Sequence, residues 1–385
     1  MEIRFSFEEL EIQKSVRKFV KNELLPIDRE VEDNWALPAG VEKKLIDMEL
    51  LHSMFPDITP DIDSNDNGSF TGLVIAIKEL AYGATMPAWM LLENFLLAYP
   101  ITRFGTDNLK SKYLPGLIDM KTIGALAFTE DATGSDPSQL KTVAEKTDKG
   151  WILNGAKRFI THAATCDHMI LFARTGEQVT AFLVNASDPG YQAGKKESFI
   201  HMKNADNGEI YLKDHFVPAG HVIGGEGKGF EILLETEALG KIAFSSIYLG
   251  VAKRAIDLAV DYAETRLHRG VPIGRKFQMI QVKLADMLSR YEALNSYLLN
   301  ICAKVDSGEN VAVDSAALKI RVADDVRVIA SSAMEIHGAY GLSEEYVIER
   351  IYRTAISAQA VMGNLDIQRV IAAKGLMTTG VSSSF

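Results

Sequence analysis

The sequence predicts an α+β fold in which a helical region, a β region and a second helical region follow one another. In the outer regions, apolar residues recur at the three- to four-residue spacing of amphipathic helices. Between them, short apolar runs alternate with turns rich in Gly and Asp, a pattern typical of a compact β domain. A chain of 385 residues can hold several structural units. We predict three domains, over residues 1–119, 120–227 and 228–385.

The amino-terminal domain is predicted to be mostly helical. Its helices are predicted over residues 6–24, Gly40–Met48, Phe70–Tyr82 and Trp89–Phe104. Pro26 is expected to end the first helix, because proline removes a helical hydrogen bond. Gly105 is expected to close the last one as its C-cap. Asp57–Asn67 is predicted to be a solvated polar loop.

The middle domain is predicted to be a small sheet. Its strands are predicted at Ala125–Phe128, Trp151–Asn154, Asn154–Thr161, His168–Ala173, Val179–Val184 and Glu209–Leu212. Gly176-Glu177 and Asn207-Gly208 are predicted as turns. The glycines between Gly224 and Gly229 match neither a phosphate-binding P-loop nor a dinucleotide fingerprint, so we expect a flexible entry into the next helix.

The carboxy-terminal domain is predicted to be a helical bundle. No proline follows Pro272, which suits long helices, and the small and apolar helix faces suit packing against each other. Its helices are predicted over residues 230–267, 276–306, 312–336, 344–354 and 364–376.

Composition and charge exclude several classes of protein. The net charge of −10 does not favour a nucleic-acid partner. Cys166 and Cys302 are far apart, so no disulfide framework is implied and a reducing cytoplasm is expected. The start of the chain lacks the apolar core of a signal peptide, and no apolar run is long enough to cross a bilayer. The histidines show no metal-site spacing, so no metal is expected.

Two stretches of the middle domain carry the strongest functional signal. Ala125–Asp136 joins an apolar strand to a turn rich in Gly, Ser and Asp, which suits a polar, anionic cofactor. Asn154–Thr161 is a second strand-like run after a turn. Together they resemble the flavin-embracing strands of the acyl-CoA dehydrogenase family, which read roughly Ala-Leu-Thr-Glu-Pro-x-Ala-Gly-Ser-Asp and Leu-Asn-Gly-x-Lys-x-Trp-Ile-Thr. The helical, β and helical-bundle order is also that family's architecture. The resemblance therefore implies an acyl-CoA dehydrogenase-like fold that ends in a four-helix-bundle-type domain.

The resemblance implies that FAD is the cofactor and assigns residues of the middle domain to it. The residues implied are Phe128, Thr129, Gly134, Ser135, Phe159 and Thr161. Thr129 and Thr161 would bond the edge of the flavin ring. Phe159 stands where the family usually has Trp, covering one flavin face. Ser135 would approach both the cofactor and the thioester substrate.

Further cofactor residues are implied in the carboxy-terminal domain. Arg266–Ile273 resembles the family's Arg-x-x-Phe-Gly-x-Pro-Ile, whose Arg meets the FAD pyrophosphate of a neighbouring subunit, although Arg269 replaces the Phe. Arginine suits a phosphate because its donor fork matches phosphate oxygens. The resemblance also implies a homotetramer or dimer. The cofactor residues implied here are Arg266, Gln278, Glu335, Gly338, Ala339, Asn364 and Asp366.

The main departure from the family concerns the catalytic base. The family motif Tyr-Glu-Gly-Thr-x-x-Ile-Gln-Arg aligns with Val361–Arg369, so Met362 replaces the glutamate that removes the α-proton. Some members place that glutamate at the position of Gly240 instead. A thioether has no basicity, so Met362 cannot replace its function. The resemblance implies a substrate site formed by Ser135, Leu239, Gly240, Lys241, Met362 and Gly363.

Glu93 is the candidate catalytic residue that remains. It is an acid within the apolar run of a helix that borders the acyl pocket in the family, and burying such an acid without a role or partner is unfavourable. An ion pair or a surface-facing position is the alternative. Glu237 shares roughly the helix face of Gly240 but is expected to be solvated or paired.

We therefore predict an FAD-dependent oxidoreductase that acts at the α,β-carbons of an acyl-CoA or related thioester. An electron-transfer flavoprotein is a possible partner. The missing base leaves alternatives open on the same fold: an enoyl-CoA reductase, a desulfinase, a flavin-dependent monooxygenase or a non-catalytic partner subunit.

Overall fold

The computed structural model describes residues 5–55, 68–134 and 139–379. The predicted polar loop Asp57–Asn67 and the predicted site residue Ser135 lie outside these ranges. Three layers of structure follow in chain order: helices, a mixed sheet and a bundle of long helices.

Six helices form the amino-terminal region of the described chain. They are α1 (Phe7–Phe19), α2 (Asp28–Asn34), α3 (Ala39–Ile46), α4 (Phe70–Gly83), α5 (Thr85–Phe104) and α6 (Asp107–Ile118). Ser6 begins α1 in a capping box with Glu9. After Phe19 the chain tightens through a π turn into a 3-10 turn that contains Pro26, so the first helix ends near the predicted place. The sequence analysis missed α2 and α6.

Helix α5 is the element that carries Glu93. It begins four residues before the predicted Trp89 and runs through Pro100 to Phe104. Gly105 closes it in an extended conformation, not in the left-handed one that usually favours glycine at a C-cap. Glycine is needed for another reason, because a Cβ on Gly105 would lie 2.4 Å from the carbonyl oxygen of Ile101.

Eight strands form the central sheet. They are β1 (Gly124–Ala127), β2 (Val143–Lys146), β3 (Gly150–Thr161), β4 (His168–Thr175), β5 (Gln178–Asn185), β6 (Tyr191–Lys196), β7 (Asn207–Pro218) and β8 (Val222–Ile223). Their order is β6-β7-β3-β2-β4-β5-β8, and β1 pairs in parallel with β4. Gly176-Glu177 is the predicted two-residue turn between β4 and β5. The turn predicted at Asn207-Gly208 is wrong, because both residues begin β7.

The sheet is irregular where the candidate site lies. Strand β3 pairs antiparallel with β7, and the register shifts between Lys157 and Ile160. Phe159 within this shift has a φ of 59°, which is unusual for a residue other than glycine. Such a bulge bends a strand and redirects a side chain, and bulges are frequent beside active sites.

Long helices complete the chain. They are α7 (Gly229–Thr265), α8 (Ile273–Lys276), α9 (Gln278–Asp306), α10 (Ala312–His337), α11 (Val347–Ser357) and α12 (Leu365–Thr379), with a small ribbon of β9 (Leu267–His268) and β10 (Val271–Pro272) after α7. The helix predicted over 276–306 is confirmed as α9, which begins two residues later because Phe277 is extended and separates it from the short α8. Helix α7 packs on α4, α5, α9 and α10, so one apolar core joins the first and last regions.

Asn94 fixes helix α5 against the sheet. Its side-chain amide donates to the carbonyls of Leu117 and Thr122 at 2.9 Å, and its Oδ1 accepts the N–H of Gly124 at 2.8 Å. Gly124 is the first residue of β1. The residue after Glu93 therefore sets the position of α5 relative to the strand that leads into the first motif stretch.

Candidate active site

A buried ion pair joins the two motif stretches. The ammonium of Lys157 lies 2.8 Å from a carboxylate oxygen of Glu130 and donates to the carbonyl of Phe128 at 3.0 Å. The backbone N–H of Arg158 donates to the carbonyl of Thr129 at 2.9 Å. Residues of β3 are therefore hydrogen-bonded to Phe128, Thr129 and Glu130. The structure brings Phe128, Thr129 and the end of β3 together.

Phe159 and Thr161 lie near the end of β3, on either side of the buried Ile160. The Phe159 ring is 47% exposed, and its centroid lies 6.1 Å from that of Phe199. Thr161 is half-buried. An exposed ring and a nearby hydroxyl can stack on and bond a planar cofactor.

Asn207 is a site residue that the sequence analysis missed. Its Nδ2 donates to the Thr161 hydroxyl at 3.3 Å and to the Phe159 carbonyl at 3.4 Å. Its buried Oδ1 has no hydrogen-bond partner among the described residues. Only the strand register, which pairs Thr161 with Asn207, brings it to this place.

Glu93 is buried beside Thr161. It is 6% exposed, and burial raises the pKa of its carboxyl to about 8, although the Thr161 side chain lowers that pKa in part. None of the described basic groups forms an ion pair with it or shifts its pKa. The alternative of a surface position is therefore wrong, and an ion pair does not explain the burial. A carboxyl of this pKa is mostly protonated at pH 7.

The two positions that the family uses for its base meet in space. A Cβ on Gly240 would lie 2.7 Å from the terminal methyl of Met362 and 2.8 Å from a methyl of Leu96. Leu96 follows Glu93 by three residues and so shares its helix face. The place where a carboxylate is expected from either motif is thus filled by apolar groups, one helical turn from Glu93.

The other predicted substrate residues surround this contact. Leu239 is buried, and the buried ammonium of Lys241 pairs with Glu237 at 3.3 Å. Glu237 is therefore paired, as expected. Met362 and Gly363 have φ values of 56° and 87°. Two successive left-handed residues turn the chain sharply here, and for Met362 this conformation is strained.

A second group of predicted residues lies where α7 and α10 end. The guanidinium carbon of Arg266 lies 5.9 Å from the ring centroid of Tyr340. Both line a cavity of about 470 Å³ together with Tyr262, His337 and Tyr346. Tyr262 stacks on His337 with ring centroids 4.4 Å apart. The aromatic lining of this cavity was not anticipated from the sequence.

The remaining predicted cofactor residues are exposed. They are Gly134, Gln278, Glu335, Gly338, Ala339, Asn364 and Asp366. Glu335 pairs with Lys283 of α9. The side chain of Asn364 accepts the N–H of Asp366 at 2.8 Å and so caps the start of α12.

The described residues hold neither a candidate metal site nor a membrane-spanning helix. No group of three or more His, Cys, Asp and Glu side chains is arranged there to hold a metal ion. None of the helices described is both long and apolar enough to cross a membrane.

Three family models match successive parts of the chain. The acyl-CoA dehydrogenase N-terminal domain matches residues 6–121, the middle domain 125–215 and the C-terminal domain 227–377. The short-chain-specific acyl-CoA dehydrogenase of Megasphaera elsdenii is 36% identical over 321 residues, which are 81% of this chain and 83% of the relative. The chain belongs to the acyl-CoA dehydrogenase family.

Other members of the family agree with this assignment. The acryloyl-CoA reductase (NADH) of Anaerotignum propionicum is 30% identical, over 98% of this chain and 96% of the relative. The solved butyryl-CoA dehydrogenase of Megasphaera elsdenii superposes with a TM-score of 0.93 at 31% identity, covering 98% of this chain and all of that one. The predicted fold is confirmed, and the protein is an FAD-dependent oxidoreductase that acts on the CH–CH group of an acyl-CoA substrate.

The described residues fit FAD. Phe159 offers an exposed ring, Thr161 two residues later offers a hydroxyl, and the Oδ1 of Asn207 is a buried acceptor with no partner among the described residues. An unpartnered buried polar atom is unfavourable unless another group satisfies it. Hydrogen bonds from Asn207 to the Thr161 hydroxyl and the Phe159 carbonyl hold the three residues together at the end of β3.

Proposed function

We propose that the protein reduces the α,β double bond of an unsaturated acyl thioester, and that Glu93 delivers the proton. The observation that carries this proposal is that the Glu93 carboxyl is buried, with no ion pair to any described basic group, and that this burial raises its pKa to about 8. The acid that the family places at position 362 or 240 is absent, while Glu93 lies one helical turn from the Leu96 methyl that borders position 240.

The protonation state of Glu93 favours the reductive direction. A group with a pKa of about 8 holds its proton at pH 7 and can give it away, as a general acid must. FAD, which Phe159 and Thr161 would help to hold, would in its reduced form be the source of the hydride for the β-carbon. Glu93 then gives its proton to the α-carbon, and the carboxylate regains a proton from water. One hydride and one proton saturate the double bond.

The chain matches relatives that are named for oxidation of an acyl-CoA and relatives that are named for reduction of one. The acryloyl-CoA reductase matches almost the whole chain, and the short-chain dehydrogenase shares slightly more identity over a shorter span. The names of these relatives therefore do not decide the direction, and the proton that Glu93 holds near neutral pH is the observation that supports reduction. In the reverse reaction the same group would have to lose its proton first.

The proposal assigns each predicted residue a role. FAD would be held by Phe128, Thr129, Gly134, Ser135, Phe159, Thr161, Arg266, Gln278, Glu335, Gly338, Ala339, Asn364 and Asp366. The thioester would lie against Ser135, Leu239, Gly240, Lys241, Met362 and Gly363. Asn207 is added as a residue that positions Phe159 and Thr161, because it bonds both.

The proposal also covers assembly and cellular context. The protein is a homotetramer whose Arg266 cavity faces the FAD of a neighbouring subunit, it works in the cytoplasm, and an electron-transfer flavoprotein supplies its electrons. The domain boundaries remain at residues 119–120 and 227–228. Arg266 supports this arrangement because it is exposed and lines a cavity.

The test is a single-turnover experiment without oxygen. Enzyme reduced with dithionite is mixed with crotonyl-CoA, and oxidised enzyme is mixed with butyryl-CoA, while the flavin absorbance is followed. We expect crotonyl-CoA to reoxidise the wild-type enzyme rapidly and the Glu93→Gln variant about 10²- to 10⁴-fold more slowly. The control is Glu235→Gln, which removes an acid that bonds Tyr99 of the same helix. Equal rates in wild type and Glu93→Gln would overturn the role of Glu93.

A further inference from the structure

Lys319 of α10 is a buried lysine to which the proposed reaction gives no role. Its side chain is 1% exposed. The ammonium donates to the carbonyl of Ala358 at 3.2 Å and lies 5.4 Å from the ring centroid of Phe244 of α7. A buried ammonium is unfavourable unless its contacts compensate for the lost water, so these two contacts have to account for its position.

The charged groups near Lys319 do not offer it an ion pair. Burial lowers the pKa of Lys319 to about 7, the buried ammonium of Lys241 lowers it further, and the carboxylate of Glu237 opposes both effects. Glu237 is itself paired with Lys241 at 3.3 Å, and none of the ion pairs among the described residues includes Lys319. Lys319 is therefore held by a backbone carbonyl and an aromatic ring.

The carbonyl that Lys319 binds belongs to the end of α11. Ser357 is the last residue of α11, and Ala358 is its C-cap. The end of a helix leaves carbonyl groups without helical partners and carries partial negative charge, so a cation is favourable there. The buried hydroxyl of Tyr248 lies 2.8 Å from the hydroxyl of Ser357. Side chains from two other helices, Lys319 from α10 and Tyr248 from α7, thus fix the end of α11.

The turn that follows α11 carries Met362. Residues 358–363 form this turn, and Met362 and Gly363 in it are both left-handed. The far side of the turn is packed closely as well, because a Cβ on Gly363 would lie 2.5 Å from Nε2 of the buried Gln368 of α12. A short turn that is fixed on both sides leaves Met362 little freedom, so a shift of the end of α11 displaces Met362.

We propose that Lys319 and Tyr248 are positioning residues that hold the end of α11 and thereby keep Met362 against Gly240 in the thioester site. The proposal rests on the proposed function, because that function places Met362 at the thioester. Lys319 and Tyr248 act through the turn and do not touch the substrate. Without their two hydrogen bonds, Met362 would relax from its strained conformation and move away from Gly240.

The test is the binding of crotonyl-CoA to oxidised, FAD-loaded enzyme, measured by isothermal titration calorimetry. Oxidised flavin has no hydride to give, so binding is measured without turnover. We expect Lys319→Met to raise the Kd about tenfold and Tyr248→Phe about threefold, because the first removes a charged hydrogen bond and the second a neutral one. The concentration of bound FAD defines the number of sites, so a loss of folded enzyme does not change the Kd.

A double variant separates positioning from a general loosening of the fold. In Met362→Ala there is no long side chain left to position. Adding Lys319→Met to that variant should therefore change the Kd by less than about twofold, as expected when two residues act through one another. A further tenfold increase in the double variant would overturn the proposal.

Lys78→Met is the matched control. Lys78 is also a buried lysine, and it donates to the side chain of Asn295 of α9 at 2.7 Å. Its replacement should lower the Tm and leave the Kd for crotonyl-CoA unchanged. An increase in the Kd as large as that of Lys319→Met would overturn the proposal, because the effect would then follow from the loss of any buried lysine.

The positioning role and the proposed reaction can fail separately. If Lys319→Met does not fold, Tyr248→Phe decides, because it removes a single hydroxyl, and an unchanged Kd in that variant would overturn the proposal. Weaker binding in the variants of an enzyme whose reduced flavin is not reoxidised by crotonyl-CoA would support positioning and reject reduction. Rapid reoxidation of wild type with an unchanged Kd in both variants would reject positioning alone. Wild-type enzyme that does not bind crotonyl-CoA would overturn both.

Discussion

Replacing Glu93 by Gln should make the folded protein more stable at high pH. The folded-state pKa of about 8 lies above the ordinary value of 4.5. Between these two values the folded protein holds a proton that the unfolded chain has lost, so raising the pH through this window disfavours folding. Glutamine has no proton to lose and escapes this effect, while it keeps the shape of the side chain.

The magnitude follows from the size of the pKa shift. One pKa unit corresponds to about 1.4 kcal/mol, so the full shift corresponds to about 5 kcal/mol above pH 8 and about 3 kcal/mol at pH 7. Urea unfolding of the holoenzyme at pH 5 and pH 9 measures the difference. We expect Glu93→Gln to exceed wild type by several kcal/mol at pH 9 and by little at pH 5.

Glu235→Gln is the matched control for this measurement. Glu235 bonds Tyr99 and Arg103 and is partly exposed, so its replacement removes contacts without relieving a buried acid. We expect no gain in stability at high pH for that variant. A stability difference between wild type and Glu93→Gln that is the same at pH 5 and pH 9 would refute the reasoning, because the carboxyl would then titrate near its ordinary value.

Three other variants test the rest of the site. Met362→Glu should create or increase dehydrogenation of a saturated acyl-CoA, measured by anaerobic flavin bleaching, since its side chain reaches the Gly240 contact; no gain on any chain length would show that the pocket is not built for dehydrogenation. Arg266→Ala should release FAD and weaken assembly more than it weakens folding, and sedimentation of a fully FAD-loaded monomer would contradict this. Lys157→Met should lower the free energy of unfolding by about 3–5 kcal/mol in urea unfolding, because it removes the cationic partner of the buried Glu130 and leaves that carboxylate only the N–H groups of Lys141 and Thr142; a loss below about 1 kcal/mol would show that these two N–H groups are enough to hold the carboxylate.

The sequence predicted the helices whose apolar periodicity is long. It did not predict the helices whose apolar periodicity is short or absent. Helices α4, α5, α7 and α10 follow from their patterns within a few residues at most of their ends. Helix α2 has seven mostly polar residues and gives no period to detect. Helix α6 contains Pro115, which reads as a break although the helix runs through it.

The sequence pattern also missed some strands, for a different reason. Strands β2 and β6 are short and largely exposed, so hydrophobicity does not mark them. Asn207-Gly208 has the composition of a turn, but pairing with β3 on one side and β6 on the other draws it into β7. Tertiary pairing overrides local preference here.

The motif residues of the site followed from the sequence, whereas their partners did not. The resemblance named Thr129, Phe159 and Thr161 by position in two local motifs. Asn207 carries no motif and reaches Thr161 only through the sheet register. The link between Glu93 and Thr161 joins a helix to a strand that is distant in sequence, so no local pattern contains it.

The two positions to which the family resemblance assigns the base, 240 and 362, lie against each other in the fold. Met362 and Gly240 are far apart in sequence, and each departure alone reads as the absence of one glutamate. In the fold they touch, because the methyl of Met362 fills the space that a side chain at 240 would need. A glutamate at either position would therefore reach the same place, which explains how the family can use both. In this chain that place is apolar, and the nearest helix contributes an acid one turn from the Leu96 methyl at its border. Because that acid is buried without a charged partner, it keeps its proton near neutral pH. Dehydrogenation begins when a base accepts the α-proton, and a protonated carboxyl cannot do this. Reduction needs an acid that donates a proton, and a protonated carboxyl can do this.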